Sequence, residues 1–244
     1  MLALAASWTW LGAVSGLIFG FAGLVVGPWK GWAAIPAVLG GLGLLLEVAA
    51  KREFKSQTAE MKALMHSCMQ PLVRSLIVLA SKTTKQARVG PLDSVLWATL
   101  TAAISLTRTD GSRASFFVRE QGSDVLVPHP TLSTGRGDAP ISRFARGSGE
   151  GVEVWRAALA GEVTFYENLL TSPPLGMDRD RARSYQTFIT APIETNGNLV
   201  GLLTINAPRP GDLTEDDRGV MRVLATLVGV ALTICGGAWA DDGR

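Results

Sequence analysis

From Met1 to Trp29 the chain carries no Asp, Glu, Lys, Arg or His, and after the single Lys30 a second charge-free run continues to Leu46. A hydrocarbon core about 30 Å thick needs roughly 20 apolar residues in a helix. Residues 6–26 meet that length and residues 32–48 nearly do, with Glu47 near the interface. Between them, Gly27-Pro28-Trp29-Lys30-Gly31-Trp32 combines helix breakers with tryptophans suited to the headgroup layer. Residues 1–50 therefore read as a two-helix transmembrane hairpin. A cleaved signal peptide is the rival reading. It fits less well, because there is no basic n-region and the apolar run exceeds the roughly 7–15 residues of an h-region. Gly12, Gly16 and Gly20 recur at a spacing that lets helices approach closely, within one hairpin or between two.

The net charge of +2 hides an uneven distribution. Residues 51–90 hold eight basic side chains against Glu53 and Glu60, whereas residues 91–244 hold fourteen Arg against eighteen acids. Lys51, Arg52, Lys55 and Lys62 form a collar just past the second span, and such a collar favours the cytoplasmic side. The expected topology is multi-pass in the inner membrane of a bacterium, with both termini cytoplasmic. Anionic lipid headgroups could also meet this collar. Cys68 and Cys235 are too few for a disulfide framework and agree with a reducing compartment.

Residues 51–90 are expected to be a basic juxtamembrane helix and linker. Phe54, Thr58, Met61, Met65, Cys68, Leu72, Ser75 and Leu79 alternate at spacings of four and three, an imperfect heptad seam. A parallel coiled-coil dimer is the preferred reading, and packing on the chain's own domain is the alternative. Pro71 should kink or split this helix. Gly90-Pro91 is expected to open the next one, with Pro in the first turn. Leu92, Val95, Leu96, Leu100, Ala103 and Ile104 form its apolar stripe, ending near Thr107.

Residues 113–119 then read as a strand and 125–127 as its partner, and residues 151–159 as a short helix stopped at Gly161. Residues 188–194 and 199–206 flank Asn196-Gly197, a strong signal for a tight hairpin. Thr214, three residues before Asp217, starts the last helix. Its expected buried face is Val220, Val223, Leu224, Leu227, Val228, Ala231 and Leu232. The fold class is α+β: the hairpin, a helical linker, then an antiparallel sheet flanked by helices over residues 91–236, with a short tail from 237.

Two stretches resemble the GAF domain family. One runs from Gly147-Ser148-Gly149-Glu150-Gly151-Val152 through Ala157-Ala158-Leu159-Ala160-Gly161-Glu162-Val163. The other comprises Ala191-Pro192-Ile193, the Asn196-Gly197 turn, Val200-Gly201-Leu202-Leu203 and Leu213-Thr214-Glu215-Asp216-Asp217. The resemblance implies a cytosolic sensory or regulatory module, a small-molecule pocket between the sheet and its covering elements, and dimerisation through the outer helices. It places the pocket against Phe116, Val118, Phe188 and Thr190. The cover would be residues 141–146 with Phe144, the helix carrying Trp155, and Tyr166-Glu167-Asn168. Gly149 and Gly151 open a helix whose backbone donors suit an anionic ligand group, with Arg143 and Arg146 adding charge. The plain alternative for Phe116, Val118, Phe188 and Trp155 is core, and for the two arginines it is solvated surface. Residues 169–184 read as a loop, with a lid as the lesser reading.

The Asn-Lys-Phe-Asp-Glu set of cyclic-nucleotide-binding members is missing, and the expected pocket holds no cysteine for a thiol-linked bilin. His129, beside Pro128 and Pro130, reads as a loop histidine rather than a haem ligand. The cofactor is left unknown. His66 and His129 sit in no triad context, there is no zinc ligand set and no phosphate loop, and the two cysteines fall in flanking helices. The chain is therefore expected not to be an enzyme. The basic collar lacks interleaved aromatics, so no nucleic-acid partner is expected. Arg136-Gly137-Asp138 reads as a chance match to an adhesion tripeptide. Only residues 236–244 follow the last helix, so the output is expected to lie in a separate signalling protein or in the hairpin itself. The function expected is a membrane-tethered sensor that binds an unidentified small molecule and signals as a homodimer. The alternative is a ligand-free scaffold for dimerisation or recruitment.

Overall fold

The computed structural model describes residues 63–236 apart from 65, 121 and 179–181. The expected membrane hairpin, the collar and the Phe54, Thr58, Met61 and Met65 part of the seam lie outside the described residues. From Leu64 onward, what is described falls in one compact unit. The elements are α1 (66–81), α2 (Lys85–Thr107), β1 (Arg113–Arg119), β2 (Val125–Gly135), β3 (Phe144–Ala145), α3 (Gly151–Leu159), β4 (Thr164–Tyr166), β5 (Thr187–Thr195), β6 (Asn198–Ala207) and α4 (Glu215–Cys235).

The six strands form one antiparallel sheet in the order β3-β2-β1-β6-β5-β4. Side chains alternate between the two faces of a strand, and this sheet uses its two faces differently. Ala114, Phe116, Ile189, Ala191, Ile193, Leu203, Ile205 and Ala207 share one face and are buried against Leu96, Leu100 and Ala103 of α2 and Leu224, Val228 and Leu232 of α4. On the other face Phe117 and Leu202 pack with Phe144 and with Val154, Trp155 and Ala158 of α3. Helices thus cover one side of the sheet, and α3 with the segment leading to it covers the other.

Local signals set several elements. Asn196 and Gly197 both take positive φ, 51° and 76°, which joins β5 to β6 through the tight turn expected of that dipeptide. The Thr214 N–H and hydroxyl both donate to the Asp217 carboxylate, at 2.7 and 2.9 Å, fixing the start of α4. Helix α3 spans the expected residues.

Other expectations need correction. Helix α1 runs through Pro71 unbroken, and Leu72 and Leu79 from the proposed seam are fully buried in the domain's own core. This described part of the seam follows the packing alternative. Helix α2 starts at Lys85, not at Gly90-Pro91, and Pro91 lies inside it. Thr84 caps it by accepting from the Ala87 N–H, and Arg88 ties it to the Lys82 and Ile234 carbonyls. Strand β2 runs to Gly135, well beyond Val127. Its ladder slips between Ser115 and Phe117, and there the His129 ring accepts from the Thr131 and Leu132 N–H groups. On α4, Val223 is 52% exposed, while Met221, Ala225 and Gly229 are buried.

Helices α2 and α4 are the two described helices long and apolar enough to cross a membrane by length and composition. Each presents its apolar stripe to the sheet, as core helices also do.

Candidate functional site

The face of the sheet covered by α3 and the segment leading to it is polar at its centre. Three rows of side chains run across it in register. Arg113, Asn206, Phe188 and Tyr166 form one row, on β1, β6, β5 and β4. The next row is built of hydroxyl residues on five strands: Ser133, Ser115, Thr204, Thr190 and Thr164. Phe117, Leu202 and Pro192 form the third.

Above these rows lies a cavity of about 20 Å³ lined by Arg113, Ser115, Phe117, Pro140, Ser142, Phe144, Glu150, Tyr185, Phe188, Thr190, Thr204 and Asn206. That is room for about one water molecule. The Thr204 hydroxyl donates to the Ser115 carbonyl. Arg113 Nε, Ser115 Oγ, Thr190 Oγ1 and Thr164 Oγ1 are buried with no hydrogen-bond partner among the described residues. Leaving a buried polar atom unpaired costs about 1–3 kcal/mol. Of the five such atoms among the described residues, three, on Arg113, Ser115 and Thr190, gather at this cavity, while those of Ser112 and Thr164 lie outside its lining.

Residues 136–142 cover part of this cavity through Pro140 and Ser142, as a lid, and a charge network fastens them. Arg113 Nη1 donates to the Asp138 carbonyl at 2.6 Å and pairs with its carboxylate at 3.0 Å. Arg136 donates to Asp138 through Nε, to the Gly111 carbonyl, and to Asn206 Oδ1 and Ser184 Oγ. Ser184 in turn donates to Asp138. Partial burial alone would raise the Asp138 carboxyl. Hydrogen bonds from Arg136 and Ser184, with the charges of Arg113 and Arg136, outweigh that and hold it at about 2. Burial draws the Arg113 guanidinium below its ordinary value, and Asp138 opposes that effect. The Arg136-Gly137-Asp138 tripeptide is thus a fastening of the lid.

The expected site residues divide between this cavity and its surroundings. Phe144, Phe188 and Thr190 line it. Phe116 does not: it lies on the opposite face, fully buried under the helices, and Val118 shares its parity. The strand turns Ser115 and Phe117 toward the cavity instead. Trp155 is a buried packing residue whose indole N–H donates to the Phe144 carbonyl at 2.8 Å. Arg146 and Arg119 stack over its ring, at 5.8 and 6.0 Å, and both pair with Asp124, so Arg146 stands outside the lining. Arg143 pairs with Glu120 at the surface.

Tyr166 stacks on Phe188 at 4.7 Å outside this cavity's lining and borders a separate surface depression. Burial, then a hydrogen bond to Glu153 and its charge, pushes the Tyr166 phenol well above its usual range. Asn168 and Glu167 line a separate, open surface depression with Thr171 and Gly211, and Asn168 accepts from the Leu170 N–H.

Gly151 is required by close approach, since a Cβ there would lie 2.0 Å from the Ala145 carbonyl oxygen. Gly149, with φ +56°, precedes it and packs against Gly176. The helix start expected to receive an anion carries Glu150 as its N-cap, and that carboxylate pairs with Arg183 at 3.3 Å. The cation facing the cavity is Arg113, which residue-by-residue reading of the chain missed. Its signal was available: Arg113 and Ser115 two apart on one strand, Thr204 and Asn206 two apart on another.

The family model for the GAF domain matches residues 90–233. No curated protein matches the chain. Among solved structures, a free methionine-R-sulfoxide reductase from Neisseria meningitidis, in complex with its substrate, is similar at 17% identity and a TM-score of 0.50, over 69% of this chain and 89% of that one. The GAF domain of a phosphoenolpyruvate-protein phosphotransferase from Acinetobacter follows at 14% identity and 0.48, over 67% and 91%. A type II free methionine-R-sulfoxide reductase from Thermoplasma acidophilum gives 15% and 0.46, over 61% and 96%.

The Neisseria enzyme corrects the expectation that this chain is not an enzyme. A protein with this fold is a reductase, so missing triads and phosphate loops do not exclude catalysis. In the present chain Cys68 lies on α1 and Cys235 near the end of α4, neither in the cavity lining.

Proposed function

The chain belongs to the GAF domain family, in general a sensory or ligand-binding regulatory domain, and on that premise we propose that it is a membrane-tethered sensor whose ligand enters between the sheet and the 136–142 lid. The observation that carries this reading is the set of buried, unpartnered polar atoms on Arg113, Ser115 and Thr190 around one cavity. A small molecule bringing complementary groups would satisfy them. With the lid down the space is water-sized, so binding requires the lid to rise or shift, and a ligand favours whichever lid state it binds better. The hairpin over residues 1–50 supplies the tether, and the basic collar sets the domain on the cytoplasmic side.

Signalling would run through the outer helices to a second copy, to a separate protein or to the hairpin. Val73, Ile77 and Val78 on α1 and Val223 and Val230 on α4 are exposed apolar side chains available for such a contact. A thermal-shift screen of the purified full chain against a broad metabolite set tests the reading. One or more small molecules should raise the melting temperature and shift the Ser115 and Thr190 amide resonances. A screen in which nothing does either overturns it.

The ligand-free scaffold has its own supporting observation, the small volume of the closed cavity. It predicts that the same screen is silent and that the full chain copurifies with a partner from detergent extracts.

A further inference from the structure

Resting on the cavity being the ligand site, we propose that Asp138 is a built-in surrogate for part of the ligand, and that the ligand is a small organic carboxylate that displaces it from Arg113. Arg113 is 3% exposed, and a buried guanidinium demands an anionic partner. In the closed lid that partner is Asp138, which engages Nη1. Asp138 takes one terminal nitrogen of a fork suited to planar carboxylates, and Nε also has no acceptor among the described residues.

The exchange is favourable on the Asp138 side as well. Its carboxylate is shared by three donors, Arg113, Arg136 and Ser184. Losing Arg113 leaves it two partners and water, because its side chain is already 38% exposed. The surrogate can therefore leave without stranding a buried charge. Once Asp138 leaves Nη1, an incoming carboxylate can meet Nη1 and Nη2 together, end-on.

The rest of the site sets the size and character of the ligand. The hydroxyls of Ser115 and Thr190, in the row next to Arg113, are unpartnered and suit a hydroxyl or amine one or two bonds from the carboxylate. Phe117, Phe144 and Phe188 offer an apolar wall to a short carbon body. A short substituted carboxylate fits all three surfaces. The lid is then an autoinhibitory element whose opening is read out as ligand arrival.

The test is calorimetric titration of the full chain with lactate, with its neutral counterpart lactamide, and with inorganic phosphate, in the natural sequence and in Asp138→Asn. Asparagine keeps a carbonyl for Arg136 and loses the charge that competes for Arg113. If the lid is closed about nine-tenths of the time, removing the competitor strengthens apparent lactate affinity about tenfold. Arg113→Lys should weaken lactate binding in both backgrounds, and lactamide should bind in neither.

Unchanged or weaker lactate binding in an Asp138→Asn chain that melts at the natural temperature overturns the surrogate. Lactamide binding as well as lactate, or phosphate binding in preference to it, overturns the carboxylate assignment. Two failures remain distinguishable by the Ser115 and Thr190 amide resonances. If a neutral metabolite shifts them, the cavity reading stands and this inference falls. If no compound of any charge shifts them, both fall.

Discussion

The two faces of one sheet are built to different rules. Toward α2 and α4 the strands present Ala114, Phe116, Ile189, Ile193, Leu203 and Ile205, all buried among other apolar side chains. Toward the lid, the same strands present Arg113, Ser115, Thr190, Thr204 and Asn206, also buried, with polar atoms of the first three left unpaired among the described residues. Burial alone therefore does not mark the core. The first face stabilises the fold through apolar area removed from water, about 25 cal/mol per Å². The second gives up part of that stabilisation to hold polar groups ready, as functional sites commonly do.

The largest expected effect breaks the comparison on the helical side. Phe116→Ala should destabilise the full chain by about 3–5 kcal/mol, through lost burial and a cavity the packed helices cannot close. Urea unfolding measures it, and a loss below about 1 kcal/mol would place Phe116 in a pliable site after all. Trp155→Phe comes next. It removes the indole donor to the Phe144 carbonyl, at an expected cost of about 1–2 kcal/mol, read by the same unfolding curves.

Thr190→Val sharpens the contrast, because its sign should reverse. A methyl in place of an unpartnered hydroxyl is expected to be neutral or stabilising by up to about 1 kcal/mol, with loss of ligand response. A clear destabilisation would mean that the hydroxyl has a structural partner.

The smallest effect concerns pH. The Asp138 carboxyl is held at about 2 in the folded domain, below its ordinary 3.8. Its contribution to lid closure is thus fully present above about pH 4 and is lost as pH falls through about 2. Carbon-13 titration of its carboxyl should find it still ionised at pH 3. A midpoint near 4 would show that the Arg113 and Arg136 contacts are not maintained in solution.

The same contrast explains what could be read from the chain. Strand β1, helix α3, the Asn196-Gly197 hairpin and the Thr214 start of α4 each rest on a local signal, a few residues whose conformational preferences agree. Elements settled by distant contacts were misread. Pro91 looked like a helix start, but Thr84 and the tie from Arg88 to the end of α4 begin the helix earlier. Strand β2 carries Pro128 and Pro130, which hid its length until its pairing with β1 was visible.

The site was half legible for a related reason. Alternation separates Phe116 from Phe117 but does not say which face is covered by helices and which by a lid. The apolar parity on β1 points to Phe116 and Val118, whereas Arg113 and Ser115 carry no apolar signal that would mark a covered face. On β5, where Phe188 and Thr190 share the cavity face, the same reading reached residues that line it.

The central claim is that the polar face of the sheet is kept for a ligand rather than for packing. Native mass spectrometry of the full chain released from detergent tests it most directly, comparing the natural sequence with Ser115→Leu, which fills the cavity. The account predicts a small molecule retained on the natural chain and absent from the folded variant. Equal retention by both, or by neither after exposure to cell extract, would contradict it.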